Sequence, residues 1–289
     1  MYNFNNYCEA KTLNEAISLL AENPNQQIIA GGTDILIKMH SGKLEQADLL
    51  SIHGISSLQN IEIKEDGTIT IGSLATFSQI AREPIITKHI PVLAQASLSM
   101  GGPQIRNLAT IGGNICNGAT SADSASTLFA LNAKLKLKSL NNERTIAIEE
   151  FYLGPGKVDL HPGEILTEII IKQEDYQGYS GKYIKFAMRN AMDIATLGVA
   201  VLCKIKENVF EDLKIALGVA APTPIRCDEA EEYAKNKEIS EETIAKIGKL
   251  AVKSTNPRTS WRASKEYREH LVEELTKRAI KEIVADKGV

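Results

Sequence analysis

Cysteine is scarce and scattered: Cys8, Cys116, Cys203 and Cys227 stand apart with no C-x-x-C pair. That spacing argues against zinc, against an iron–sulfur cluster and against a disulfide framework. Charge of one sign is not in excess either, since 33 basic and 36 acidic residues leave a net charge of -3. Neither nucleic acid nor an anionic membrane is expected as a partner. No apolar run reaches the roughly 18 residues of a membrane span, and the opening residues are acidic and polar instead of basic and then apolar. The expectation is a cytoplasmic protein without a membrane segment. His40, His53, His89, His161 and His270 show no ligand spacing and no Ser or Cys partner. No metal site and no catalytic residue is therefore expected from them.

What is present is a chain of 289 residues, 43% apolar, enough for a sizeable core in one large or two to three small domains. Two glycine-rich stretches stand out from it. Residues 101–123 contain Gly101, Gly102, Gly112, Gly113 and Gly118 and almost no large apolar side chain, so this stretch is expected outside the core as a shaped surface. Earlier, Ile28-Ile29-Ala30-Gly31-Gly32-Thr33-Asp34 reads as a short strand ending in a Gly-Gly turn, followed by the apolar run Ile35-Leu36-Ile37. Consecutive N–H groups around such glycines form anion-binding concavities, and two of them could clamp a pyrophosphate from both sides. Neither stretch carries G-x-G-x-x-G or G-x-x-x-x-G-K-[ST], so the Rossmann and Walker loops have no support. Local chemistry stops at a phosphate-bearing ligand.

Taken in order, Thr12 with Glu15 forms a capping box for a helix that ends at Asn23-Pro24. A strand, a turn and a helix over 34–39 follow, and then a strand over 49–52. Ile61, Ile63, Ile69 and Ile71 alternate across Asp66-Gly67 as a hairpin, and Thr76 with Gln79 forms a second capping box. A helix is expected over 92–100, another from Asp123 through Leu131, and a hairpin over 134–148. Residues 165–171 read as a strand leaving this part of the chain, and the polar stretch 173–181 as a boundary. Strands over 196–206 and 213–219 pair across Glu207-Asn208, and helices over 228–235, 241–253 and 264–285 close the chain.

Ala30-Gly31-Gly32-Thr33-Asp34, Thr110-Ile111-Gly112-Gly113-Asn114 and Asp123 resemble the paired flavin motifs of the FAD-binding subunits of molybdenum hydroxylases, the xanthine and carbon monoxide dehydrogenase family. The similarity extends to Pro103-Gln104-Ile105-Arg106-Asn107, Gly163-Glu164-Ile165-Leu166, Lys185-Phe186-Ala187-Met188-Arg189, Pro222-Thr223-Pro224-Ile225-Arg226 and the run from Trp261 to Glu266, so it covers the chain in order. The resemblance implies an α+β protein: a two-lobed FAD-binding fold of the vanillyl-alcohol oxidase and CO dehydrogenase flavoprotein type, with lobes at 1–57 and 58–173. A C-terminal domain of antiparallel sheet and helices would follow at 174–289.

It also implies a cofactor, FAD, and a site. Gln27, Ile28, Ile29, Ala30, Gly31, Gly32, Thr33 and Asp34, with Ala109, Thr110, Ile111, Gly112, Gly113 and Asn114, would line its pyrophosphate and ribityl chain. Ile35, Ile105 and Cys116 complete that set. Asp123 would bind FAD hydroxyls, Ile165 and Leu166 would lie against a ring, and Lys185 would stand close to the flavin. The same residue types admit plainer readings: turn caps for Thr33, Thr110 and Asn114, a helix N-terminal carboxylate for Asp123, a solvated strand face for Lys185, core for Ile165 and Leu166, and a loop filler for Cys116. Met100 stands where some relatives have an aromatic residue against the flavin, and Met192 where animal relatives are acidic. The activity implied is electron transfer within a xanthine dehydrogenase. A partner [2Fe-2S] subunit would supply electrons, NAD would accept them, and a separate molybdopterin subunit would hydroxylate hypoxanthine or xanthine. The alternatives are an FAD subunit of a nicotinate, carbon monoxide or aldehyde dehydrogenase, a non-catalytic nucleotide-binding assembly module, and a stand-alone FAD reductase or oxidase.

Overall fold

In the computed structural model, which describes residues 3–288, most strands fall into three successive sheets, with a separate two-stranded ladder of Tyr152–Gly154 and Lys157–Val158. The first is parallel, in the order Phe4–Glu9, Ala47–Ser51, Gln27–Ile29, with helices Leu13–Glu22 and Ile35–His40 as its connections. The second is antiparallel and five-stranded: Ile61–Ile63, Ile69–Gly72, Ile165–Ile171, Lys134–Lys138, Glu143–Ala147. The third is antiparallel and four-stranded: Ser180–Phe186, Leu197–Lys206, Val209–Gly218, Ile225–Arg226.

Local signals set several of these pieces. Gly67 takes the positive φ of its turn, and the Asp66 carboxylate accepts from Thr68 N at 2.9 Å. Glu207 and Asn208 both have positive φ, as a two-residue hairpin loop requires. Thr12 and Thr76 each accept from the N–H three residues on. The return halves of both expected capping boxes go elsewhere: Glu15 accepts from Lys11 N, and the Gln79 amide donates to Gln59 O.

One expectation is sharpened and one corrected. Residues 165–171 form the expected strand, and it is the central one of the second sheet, where Ile165, Leu166, Thr167, Ile169 and Ile171 are all buried. The glycine-rich stretch is not wholly outside the core. It folds into short helices Pro103–Arg106 and Ile111–Cys116, and Ile111 and Ile115 are fully buried in the central core. Their spacing of four puts both on one helix face.

The third sheet explains how the pieces lock together. Side chains alternate across a strand, so Leu197, Val199, Val201 and Cys203 face one way, against helices Asp228–Ala234, Glu241–Lys253 and Lys265–Asp286. Ala200, Leu202 and Ala216 face the other way, into a core shared with helices Pro91–Ser99 and Asp123–Ala130. Every residue of Asp123–Ala130 is consequently buried. Truncating an outer-layer contact such as Ile247 to alanine is expected to cost about 2–5 kcal/mol. No described helix is long and apolar enough to cross a membrane.

Candidate functional site

The first glycine bend follows strand Gln27–Ile29 and leads into helix Ile35–His40. Gly31 packs directly on the second glycine-rich stretch: a Cβ there would sit 1.7 Å from Leu108 O. Gly32 has φ of 73°, which an L side chain rarely adopts. Lys38 Nζ donates to Asn117 Oδ1 at 2.7 Å, fastening the helix after one bend to the end of the other. The two bends, far apart in sequence, therefore converge.

Their hydrogen bonding differs. Among the described residues, the N–H groups of Gly31, Gly32, Thr33 and Asp34 donate to no protein acceptor. In the second bend, Ile111 N donates to Ala75 O at 3.0 Å, Gly112 N to Ser73 O at 2.8 Å and Asn114 N to Thr110 O at 3.0 Å. Gly113 N donates to Thr110 Oγ1 at 3.1 Å, so Thr110 caps the helix Ile111–Cys116. Gly112 sits where a Cβ would be 2.6 Å from Ser73 O. The first bend thus offers donors, while the second is a close-packed wall.

The remaining candidates distribute around this pair. Gln27, Ile28 and Ile29 pair in register with Leu49, Leu50 and Ser51 of the neighbouring strand. Ala30 and Ile35 pack beside the small clusters of the first sheet. Ile105 supports Gly101, and its carbonyl accepts from Ala109 N at 2.7 Å. Asn114 Oδ1 accepts from Ser124 Oγ at 2.7 Å. Burial pushes the Cys116 thiol up to about 12, which leaves it protonated at neutral pH and suits a filler, not a nucleophile. Ile165 and Leu166 are core residues, Ile165 among Leu20, Leu50 and Leu74 and Leu166 in the central core, so their described neighbours are protein.

Asp123 and Lys185 come together. Asp123, 5% exposed at the start of its helix, accepts from Lys185 Nζ at 2.8 Å and from Tyr183 Oη at 3.1 Å. Lys185 also donates to Ser99 O at 3.1 Å. Residues 183 and 185 share a strand face, and Gly198, paired with Lys185, leaves room for the Tyr183 hydroxyl. Burial raises Asp123 against the pull of Lys185, and burial beside Asp123 holds the Tyr183 phenol far above its usual range as a permanent donor. The solvated-face reading of Lys185 does not hold.

Beside this pair opens a cleft of about 400 Å³, lined by Gln95, Ser99, Tyr183, Lys185, Arg189 and Met192 among others. Met192, at φ of 55°, donates its N–H to Gly101 O at 3.3 Å and lies over Gly102, so the loop that follows Phe186 borders the mouth. The Met100 carbonyl accepts from Arg106 Nη1 at 3.0 Å. Tyr183, Gln95 and Ser99 were not singled out from sequence. Tyr183 was within reach of strand alternation, two residues before Lys185; Gln95, whose Oε1 accepts from Tyr183 N, left no local signal.

Unpaired N–H donors, glycines that leave no space for Cβ, a buried carboxylate with a lysine partner and a cleft nearby suit a dinucleotide with an anionic diphosphate, sugar-alcohol hydroxyls and a flat ring. The residues present therefore fit FAD. Among the described residues no group of His, Cys, Asp and Glu could hold a metal ion.

Comparison with known proteins agrees. The family described as "FAD binding domain in molybdopterin dehydrogenase" matches residues 2–172, and "CO dehydrogenase flavoprotein C-terminal domain" matches residues 182–283. The xanthine dehydrogenase FAD-binding subunit of Escherichia coli O157:H7 is 44% identical over 288 residues, covering 100% of this chain and 99% of that protein. The glyceraldehyde dehydrogenase medium chain of Sulfolobus acidocaldarius is 31% identical over 96% of this chain and 97% of its own length. The structure of carbon monoxide dehydrogenase from Hydrogenophaga pseudoflava superposes with a TM-score of 0.93 at 27% identity, covering 99% of both chains. With two family domains in order, full-length relatives and a crevice of fitting chemistry, this chain belongs to the FAD-binding subunits of the molybdenum hydroxylases, of the xanthine dehydrogenase type.

Proposed function

We propose that this chain is the electron-transfer subunit of a multi-subunit xanthine dehydrogenase, receiving electrons from a partner [2Fe-2S] subunit and delivering them to NAD. Purine hydroxylation would take place on a separate molybdopterin subunit, in a cytoplasmic complex. In this reading residues 1–57 and 58–173 are the lobes that hold FAD and 174–289 is the C-terminal domain; Met1, Tyr2 and Val289 lie outside the described residues. FAD supplies the ability to take up single electrons and release them as a hydride.

The chain's own residues do the holding. The N–H groups of Gly31, Gly32, Thr33 and Asp34 receive the diphosphate through dipoles instead of a full cation, and Ala109 to Asn114 close its other side. Asp123 accepts from sugar-alcohol hydroxyls, held in place by the Tyr183 hydroxyl and the Lys185 ammonium. Lys185, with its ammonium at the cleft, favours negative charge on the ring bound there. The observation that carries the reading is the contact of Gly31 with Leu108 beside four uncommitted N–H groups.

The test is the native complex, assayed with xanthine and NAD after its flavin content is measured. About one flavin per chain and xanthine-dependent NADH formation are expected. Turnover of nicotinate, carbon monoxide or an aldehyde in place of xanthine would select another hydroxylase of the family. That second reading has its own support: the Sulfolobus relative, similar over nearly the whole chain, is named for glyceraldehyde. Failure of NADH to bleach the flavin would instead indicate an assembly module.

A further inference from the structure

The flavin site leaves unused the run from Arg258 to Arg268, Arg-Thr-Ser-Trp-Arg-Ala-Ser-Lys-Glu-Tyr-Arg. Ser260 and Ala263 exchange backbone hydrogen bonds at 2.9 and 3.2 Å in a tight turn just before helix Lys265–Asp286, which brings three guanidinium groups together. Arg268 is 2% exposed; it donates to Thr196 O and, at 3.0 Å, to Ser260 Oγ. Its Nε, the Nε of Arg262 and the Oγ1 of Thr196 are buried without a hydrogen-bond partner among the described residues. Arg258 and Arg262 both act on Arg268 as like charges, and no described carboxylate forms an ion pair with any of the three. A buried guanidinium without a counter-ion is costly, and such orphaned donors require a reason.

Large apolar side chains stand exposed among the charged ones around them. Trp261 is 75% exposed, with the Arg262 guanidinium 4.3 Å over its ring. Exposed Tyr267 meets Phe186 edge-on at 6.2 Å. Phe186 in turn accepts from Thr196 N, and exposed Met188 and Ile194 flank that pair. Tryptophan, tyrosine and arginine side by side on a surface are the residues on which protein interfaces concentrate their binding energy.

We infer that this face is a docking surface for a partner subunit of the same complex, whose contact patch carries an aspartate or glutamate set among apolar side chains. The partner's carboxylate would meet Arg258 and Arg262 and supply the counter-charge that Arg268 lacks, while its apolar groups cover Trp261. The inference rests on the subunit reading above.

The test purifies the native complex through a tag on this chain, as wild type, Trp261→Ala and Arg258→Glu. Both substituted side chains are exposed and lie outside the flavin site. Each variant is expected to keep about one flavin per chain and to lose a partner subunit at least about tenfold more readily on dilution. Carbodiimide is expected to link Lys265 of the wild type to an acidic residue of that subunit. Variants that retain the partner as the wild type does overturn the inference, as does a wild-type chain that instead pairs with a second copy of itself through this face. A wild type that arrives without flavin, or without any partner, refutes the subunit reading itself, and this inference with it.

Discussion

The two glycine bends converge on one another but are built for different work. In the first, four successive N–H groups from Gly31 to Asp34 have no protein acceptor among the described residues. In the second, the N–H groups from Ile111 to Asn114 are already committed to Ala75, Ser73 and Thr110. Equal-looking Gly-Gly pairs thus divide into a donor cradle and a rigid wall. The lesson is that a glycine motif can serve a ligand either by offering hydrogen bonds or by removing side chains so that backbones meet.

Substitution at Gly31 is the harshest way to break that comparison. A Gly31→Val side chain would begin 1.7 Å from Leu108 O, so the bends must separate. Flavin content by visible absorbance is expected to fall to a tenth or less, while far-UV circular dichroism stays near wild type. Retention of a full flavin complement would show that convergence is not what holds it.

Next in size is Asp123→Asn. Loss of a charge-assisted acceptor is expected to weaken FAD binding by about 1.5–3 kcal/mol, roughly 10- to 150-fold, read by fluorescence titration of the apoprotein. Lys185 then loses its counter-charge and is left with neutral acceptors, Ser99 O and the new amide oxygen.

Gly112→Ala sharpens the contrast from the other side. Its Cβ would meet Ser73, so an overpacking loss of about 1–3 kcal/mol in stability is expected, with FAD affinity in the surviving fold little changed. Thermal melts and titration together separate the two effects. A loss confined to affinity would mean that the wall also donates.

The smallest expected effect is in acid stability, where two carboxylate clusters carry opposite signs. Arg144 pairs with Glu164 at 2.8 Å and Asp159 at 2.6 Å. Despite the opposing effect of burial, Arg144 and the His161 N–H hold Glu164 below its ordinary value of 4.5, and the hydrogen bond from Arg144 holds Asp159 below 3.8. Their contribution is full above those ordinary values and is lost as pH falls through the lowered ones. Asp123, raised above 3.8 by burial, does the reverse: as pH climbs from that value through its raised one, ionisation removes stability. Arg144→Met should therefore flatten the acid limb of a stability–pH curve, and Asp123→Asn should steepen it slightly. Unchanged limbs would remove both assignments.

Much of this was legible in the sequence, for identifiable reasons. The hairpins at Asp66-Gly67 and Glu207-Asn208 and the three closing helices follow local rules of turn and period. The glycine bends were visible as motifs, and family resemblance supplied FAD. What local reading could not reach was partnership across the chain. Strand 165–171 was legible as a strand but its place at the centre of the sheet was not, because pairing with residues 69–72 and 134–138 leaves no trace within the strand itself. Resemblance set Lys185 near the flavin, but its contact with Asp123, 62 residues away in sequence, left no local signal. Neither could sequence distinguish a donor cradle from a wall, since the acceptors at Ser73 and Ala75 lie outside both motifs.

The most direct measurement is a crystal structure of the chain with FAD bound. Diphosphate oxygens are expected about 2.7–3.2 Å from the N–H groups between Gly31 and Asp34, with the wall of Ala109 to Asn114 on the opposite side. A diphosphate held elsewhere, with those four N–H groups facing solvent, would contradict the account.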